Sequence, residues 1–331
     1  MSRNRGAARG PENPAPQGKS LFRSPTGGLR GGWLLAVSLL CCALVAVGLR
    51  RALLALFAAL FRAWGVNADT AHLAPTWARL LFRWHGGIAS ALVASGLIAL
   101  SAGLRKLWAI DQGTKKVFLT KEGKDKKAGI FARFALLGLS LPVVATLPAL
   151  LFDSVRPQWP LTAPRFTLAL IPLLAVNLLS ALAAEAFTWR VLYDGLKPRW
   201  GAKWAAAIAV AAYFVMASGW AGNAVGAVNV ALMGLMGCAV YARRGLWASV
   251  GLRFGWSAAA TLLLGFGGSE AAVYRFYGVS EALLTGGDAG PACGLTATLL
   301  LVAALAWLGR RYGLYTLKTP DTTRASNGRS S

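Results

Sequence analysis

The apolar residues of this chain are grouped into long, nearly uninterrupted blocks, and that grouping limits what it can fold into. Segments 32–49, 129–151 and 222–241 carry one charge between them, Arg133. A helix rising 1.5 Å per residue needs about 20 apolar residues to cross roughly 30 Å of hydrocarbon. Blocks of that length, without amphipathic spacing, belong in lipid rather than water. The composition agrees: 56% of residues are hydrophobic and 14% charged, where soluble domains carry about a quarter charged residues. Alternating ten-residue segments are missing, which argues against a β-barrel.

The blocks predict spans at roughly 32–49, 86–104, 129–151, 166–187, 204–220, 222–241, 246–266 and 292–309. The fold class expected is therefore all-α, a polytopic transmembrane bundle of about eight helices. Residues 1–30 form a basic tail rich in Arg, Pro, Gly and Ser, with no apolar periodicity, and are expected to be disordered. The apolar block after it meets Arg50-Arg51 rather than a small-residue cleavage site, which reads as an uncleaved signal anchor. The expected organisation is the tail 1–30, N-terminal membrane helices 31–165, a helical core 166–266, an outer loop with the last helix 267–309, and a tail 310–331.

A formal charge of +23 could indicate nucleic acid. The cations argue otherwise, because they lie in short loops and tails, not in a stripe on an amphipathic surface. No nucleic-acid partner is expected. Segment 105–128 holds Arg105, Lys106, Lys115, Lys116, Lys121, Lys124, Lys126 and Lys127; segment 188–203 holds Arg190, Lys197, Arg199 and Lys203. With both termini cytoplasmic, these segments and the Arg243-Arg244 turn all face inward, as positive charge in short loops dictates. The expected location is the plasma (inner) membrane. The partners expected are the bilayer itself, anionic headgroups at 105–128, and a membrane protein or peptide. Segment 50–85 resists this topology. It carries five Arg yet should lie outside, and its stretch Ala52–Phe61 reads as an interfacial helix or an extension of the first span.

Cys41, Cys42, Cys238 and Cys293 form no CxxC pair, and His72 and His85 are the only histidines. There is no P-loop, GxGxxG or HExxH, so neither a cofactor nor a metal is expected. The informative residues are charges inside apolar spans, which are costly in lipid and functional by default. Glu185 lies near the end of the fourth span and Arg253 in the middle of the seventh. Opposite in sign and costly alone, they are expected to pair, or to face one water-filled cavity. Gly251 and Gly255 flank Arg253 at GxxxG spacing, which would let a neighbouring backbone approach closely. Arg190 reads either as a brace for Glu185 or as an inside charge at the membrane edge.

Around these charges the sequence resembles a known family. Ala184-Glu185-Ala186-Phe187-Thr188-Trp189-Arg190 is similar to the first motif, Glu-Glu-x-x-x-Arg, of the CPBP family, the CAAX-protease and bacteriocin-processing intramembrane proteases. Phe214-Val215-Met216-Ala217-Ser218 stands where that family has Phe-x-x-x-His. Arg253-Phe254-Gly255-Trp256-Ser257 stands where it has His-x-x-x-Asn. The resemblance covers about 180–260. It implies a membrane-embedded endopeptidase in which the first Glu and the motif-two His activate a water, while the motif-three His and Asn steady an oxyanion or bind a metal.

This chain departs from those motifs at most chemical positions. Ala186 replaces the second Glu, Ser218 and Arg253 replace the histidines, and Ser257 replaces the Asn. The motif-equivalent positions are thus Glu185, Arg190, Ser218, Arg253 and Ser257. Three readings follow. The chain is a degenerate pseudoprotease in which Glu185 and Arg253 form a structural ion pair. Or it is an altered peptidase, with Glu185 as base, Ser218 positioning water and Arg253 stabilising the oxyanion. Or it is a small transporter or membrane scaffold whose charges line a path.

Overall fold

The computed structural model describes residues 31–67, 69–111, 124–151, 155–158, 163–217, 222–264, 275–278, 284, 286 and 290–312. The protein is an all-α helix bundle. In chain order the helices are α1 (Gly31–Ala43), α2 (Arg50–Ala63), α3 (Thr76–Asp111), α4 (Lys124–Leu151), α5 (Ala163–Glu185), α6 (Asp194–Ala217), α7 (Ala224–Arg244), α8 (Leu246–Ala258) and α9 (Leu295–Tyr312). A short antiparallel pair, β1 (Val155–Gln158) with β2 (Arg275–Gly278), joins two connecting segments. No apolar pattern forecast it. The expected outer loop 267–291, and both tails beyond residues 31 and 312, fall largely outside the described residues.

Among the described residues, five helical runs are long and apolar enough to cross a membrane: Gly31–Ala63, Trp84–Ala109, Lys127–Leu151, Leu170–Ala217 and Ala224–Arg244. Leu170–Ala217 holds two of the expected spans, separated by a break at Gly201. Its φ of 76° lies in the left-handed region that favours glycine. Large apolar side chains point outward all around the bundle, among them Leu40, Leu136, Ile171, Val215 and Leu299. In water such a surface would aggregate; in a bilayer it is the lipid-facing surface. The chain is an integral membrane protein.

Two boundaries differ from the sequence expectation. A π-helical segment, Leu44–Leu49, joins α1 to α2, so the first helix runs on through Arg50 and Arg51 to Ala63. Of the two readings of Ala52–Phe61, the extension is the one observed. Phe57 and Phe61 are buried there against α3, in a small separate core with Val66, Ala89 and the flanking Phe82. His85 stands edge-on to Phe61 in that core, 5.4 Å between ring centres. Likewise, helix continues from α5 through a second π-helical segment, Ala186–Tyr193, into α6 and only breaks at Gly201, where a loop was expected over 188–203.

The main core forms where α8 is enclosed. Leu246, Ala248, Val250, Gly251, Leu252, Gly255, Trp256, Ser257 and Ala258 of α8 are all buried, the burial all round that marks a central helix. Its tightest neighbour is α4, through glycine on both sides. A β-carbon added at Gly251 would strike Phe131 O, one at Gly255 would strike Ala135 O, and one at Gly138 would strike Leu252 O. The matched order of these contacts makes α4 and α8 parallel. The small residues let two backbones meet without intervening side chains, the packing device expected of GxxxG in lipid. α5 lies against α8 and α3, while α7 lies between α6 and α9.

Candidate functional site

The site is assembled where the end of α5 faces the middle of α8. Glu185 is the last residue before the Ala186–Tyr193 π-helical segment, and its side chain is 2% exposed. π-Turns are uncommon and recur at functional positions. Here the wider turn carries Trp189 back over its own helix, and Trp189 Nε1 donates to Glu185 Oε2. Arg253 Nη1 lies 3.6 Å from Glu185 Oε1. The two charges set 68 positions apart in sequence therefore meet inside the bundle, away from lipid. Ser249, one turn before Arg253, also borders the carboxylate and donates to Leu246 O at 3.0 Å.

Aromatic rings enclose the pair. The Arg253 guanidinium carbon sits 4.7 Å above the centre of the Tyr213 ring, within the range of a cation–π contact. Trp189 also stacks on Tyr213, with ring centres 6.1 Å apart and planes 18° apart. Glycines of α7 make room for both rings: a β-carbon at Gly237 would lie 3.2 Å from the Trp189 ring, and one at Gly234 3.0 Å from the Tyr213 ring. A charged pair buried in this way has its hydration replaced by an indole N–H and a π face. Read alone, Trp189 and Tyr213 look like core aromatics. Their contacts with Glu185 and Arg253, not a pattern in the sequence, mark them as the lining of a charge site.

Arg253 also borders a small cavity of about 40 Å³, walled with it by Tyr213, Ala217, Asn229, Val230, Met233, Trp256 and Ala292. That volume admits a few water molecules. Glu185 is not among its described walls. Arg253, which reaches Glu185, and Tyr213, whose ring carries the guanidinium, both wall the cavity. Asn229, buried in α7, is fully engaged at the far wall. Its Nδ2 donates to Ala292 O at 2.9 Å and Gly294 O at 3.1 Å, and its Oδ1 accepts from Thr298 Oγ1 at 2.7 Å.

The other motif positions have separate surroundings. Ser257 Oγ donates to Asn177 Oδ1 at 2.5 Å, joining α8 to α5. Arg190 lies one helical turn beyond Glu185, in the field of Asp194 and Arg105. Asp194 accepts from Tyr241 Oη at 2.5 Å, and Tyr241 in turn stacks on Trp189. Asp194, Asn177 and Tyr241 carried no motif signal in the sequence. Ser218 falls outside the described residues. Among the described residues, no three His, Cys, Asp or Glu side chains come together as they would around a metal ion. The donors gathered at Glu185 do not fit one either, because a guanidinium already supplies the positive charge.

Residues 166–259 match a family model described as "Type II CAAX prenyl endopeptidase Rce1-like". No curated protein and no solved structure matches the chain. The family match runs from α5 to the end of α8 and contains every motif position named above. Over this segment the chain is similar to the CAAX-protease membrane proteins, in agreement with the resemblance carried by its motifs.

Proposed function

We propose that this chain, an integral membrane protein similar to CAAX prenyl endopeptidases over residues 166–259, retains their scaffold without their hydrolytic centre. The observation that carries this reading is the placement of Glu185. A general base must reach the water it activates. Glu185 instead gives one oxygen to Trp189 Nε1 and the other to Arg253, and it does not wall the cavity where water would stand. Arg253, Ser218 and Ser257 stand at the remaining motif positions, and Ser257 is engaged by Asn177. The ion pair then serves as a structural clasp between α5 and α8. The chain would hold a membrane protein or peptide rather than cut it.

The distribution of Lys and Arg supports an inner-membrane protein with cytoplasmic termini, and supports contact between segment 105–128 and anionic headgroups. The decisive assay uses proteoliposomes of the full chain with a prenylated CAAX peptide. No cleavage above that of the Glu185→Gln variant is expected, and none in Arg253→His. Cleavage by the natural chain that Glu185→Gln abolishes would overturn the proposal and establish an altered peptidase.

A further inference from the structure

A second concavity lies on the opposite side of α8, between α4, α5 and α8. It is larger, about 370 Å³, and is lined by Lys127, Ala128, Phe131, Leu178 and Trp247. That is within the size range of sites that take an organic ligand. Among the described residues its wall is apolar except for one cation, Lys127. The Phe131 ring continues the apolar wall inward to Phe254, 5.6 Å between ring centres.

The levels of these residues identify an occupant. Lys127 lies in the first turn of α4 and Trp247 in the first turn of α8. Because α4 and α8 are parallel and in backbone contact, both residues mark the same end of the bundle. Trp and Lys at helix ends sit at headgroup depth. Phe131 is one helical turn further along α4, about 6 Å deeper, and Leu178 closes the wall from α5. The concavity thus begins with a cation and an indole at the interface and continues into hydrocarbon as an apolar furrow. That is the layout of a single phospholipid, with phosphate at the mouth and an acyl chain along the wall. An empty furrow would forfeit its dispersion contacts, and its apolar wall offers water no partners.

Charge selects among lipids. Lys127 is the described cation at the mouth of the furrow, and an interfacial cation favours an anionic headgroup. We infer that the α4–α5–α8 furrow is a binding site for one anionic phospholipid, with its phosphate at Lys127 and Trp247 and an acyl chain against Phe131 and Leu178. This inference does not depend on whether Glu185 is catalytic. It also differs from headgroup attraction along 105–128, because it requires a chain in the furrow.

The test places the full-length protein in nanodiscs of phosphatidylcholine with a minor fraction of phosphatidylglycerol, and counts the lipids it keeps by native mass spectrometry. Phosphatidylglycerol should be enriched about fivefold over its bulk fraction, the gain one interfacial cation provides. Lys127→Gln should bring the enrichment back to about one. Ala128→Trp, which fills the furrow, should remove the retained lipid. A Lys115→Gln, Lys116→Gln and Lys121→Gln triple variant should keep both. Retention at the bulk ratio by the natural chain would overturn the inference. So would enrichment that survives Lys127→Gln, enrichment that disappears in the triple variant, or displacement of the lipid by inorganic phosphate. Lys127→Gln removes the charge at a half-exposed position with only a small change in side-chain size, so it decides the question even if the bulkier variant fails to fold.

Discussion

If the Glu185–Arg253 contact is a structural clasp, a double-mutant cycle should show strong coupling. At 3.6 Å, two unit charges attract by about 5 kcal/mol at an effective dielectric constant near 20, and by about 1 kcal/mol in water. Burial places the pair closer to the first figure, but desolvation of both groups consumes much of it. Glu185→Gln removes the charge while leaving an oxygen for Trp189 Nε1. Arg253→Met removes the guanidinium while keeping a flexible stem over Tyr213. Each single change strands a buried charge and should cost about 3 kcal/mol. The double variant strands nothing and should lie within about 1 kcal/mol of the natural chain. The coupling energy, the two single costs less that of the double variant, should therefore be about 5–6 kcal/mol. Reversible unfolding in mixed micelles, followed by tryptophan fluorescence, measures all four corners. Additive single effects, with coupling below about 0.5 kcal/mol, would refute the argument, because the charges would then be solvated independently.

Two further outcomes follow from the packing. Gly255→Ala drives a methyl group into Ala135 O and should cost about 2–3 kcal/mol as α4 and α8 separate, whereas Gly103→Ala, with open space around it, should be neutral or gain up to about 1 kcal/mol; thermal unfolding in detergent compares the two. Ser257→Ala orphans Asn177 Oδ1 and should cost about 1 kcal/mol, which a second change, Asn177→Leu, should largely restore; a cost that persists in the double variant would place the Ser257 hydroxyl in some other role.

The fold was readable in the sequence where lipid alone decides the pattern. A helix buried in hydrocarbon must be apolar for its whole length, so blocks such as 129–151 and 222–241 coincide with α4 and α7. Reading failed where helix continues beyond hydrocarbon, because polar residues there no longer imply a loop. Arg50-Arg51 looked like an end, and the 188–203 segment like a cytoplasmic loop; the first lies on continuous helix, and the second is helical up to the break at Gly201. The core of the site was readable for a similar reason. Two opposite charges in apolar spans have few affordable arrangements, which is why Glu185 and Arg253 could be paired from sequence. Their surroundings could not. Nothing in a string of letters separates Trp189 from any core tryptophan, and a π-turn leaves no compositional trace. The tie between Ser257 and Asn177 depends on the crossing of α5 and α8, not on a motif.

The first helix runs 33 residues without interruption, about 50 Å at 1.5 Å per residue. To fit within about 30 Å of hydrocarbon it would have to lean by more than 50°, steeper than spanning helices adopt. Roughly 20 Å of rod must therefore emerge from the lipid, with α3 (36 residues) running alongside and Phe57 and Phe61 cementing the two. That explains how Arg50, Arg51, Arg62 and Arg79 can share this region with buried aromatics. It also gives a small membrane protein a stiff mast. A helical partner spliced in register at the tip, near Gly65, would inherit its orientation and supply a rigid marker for particle alignment by electron microscopy.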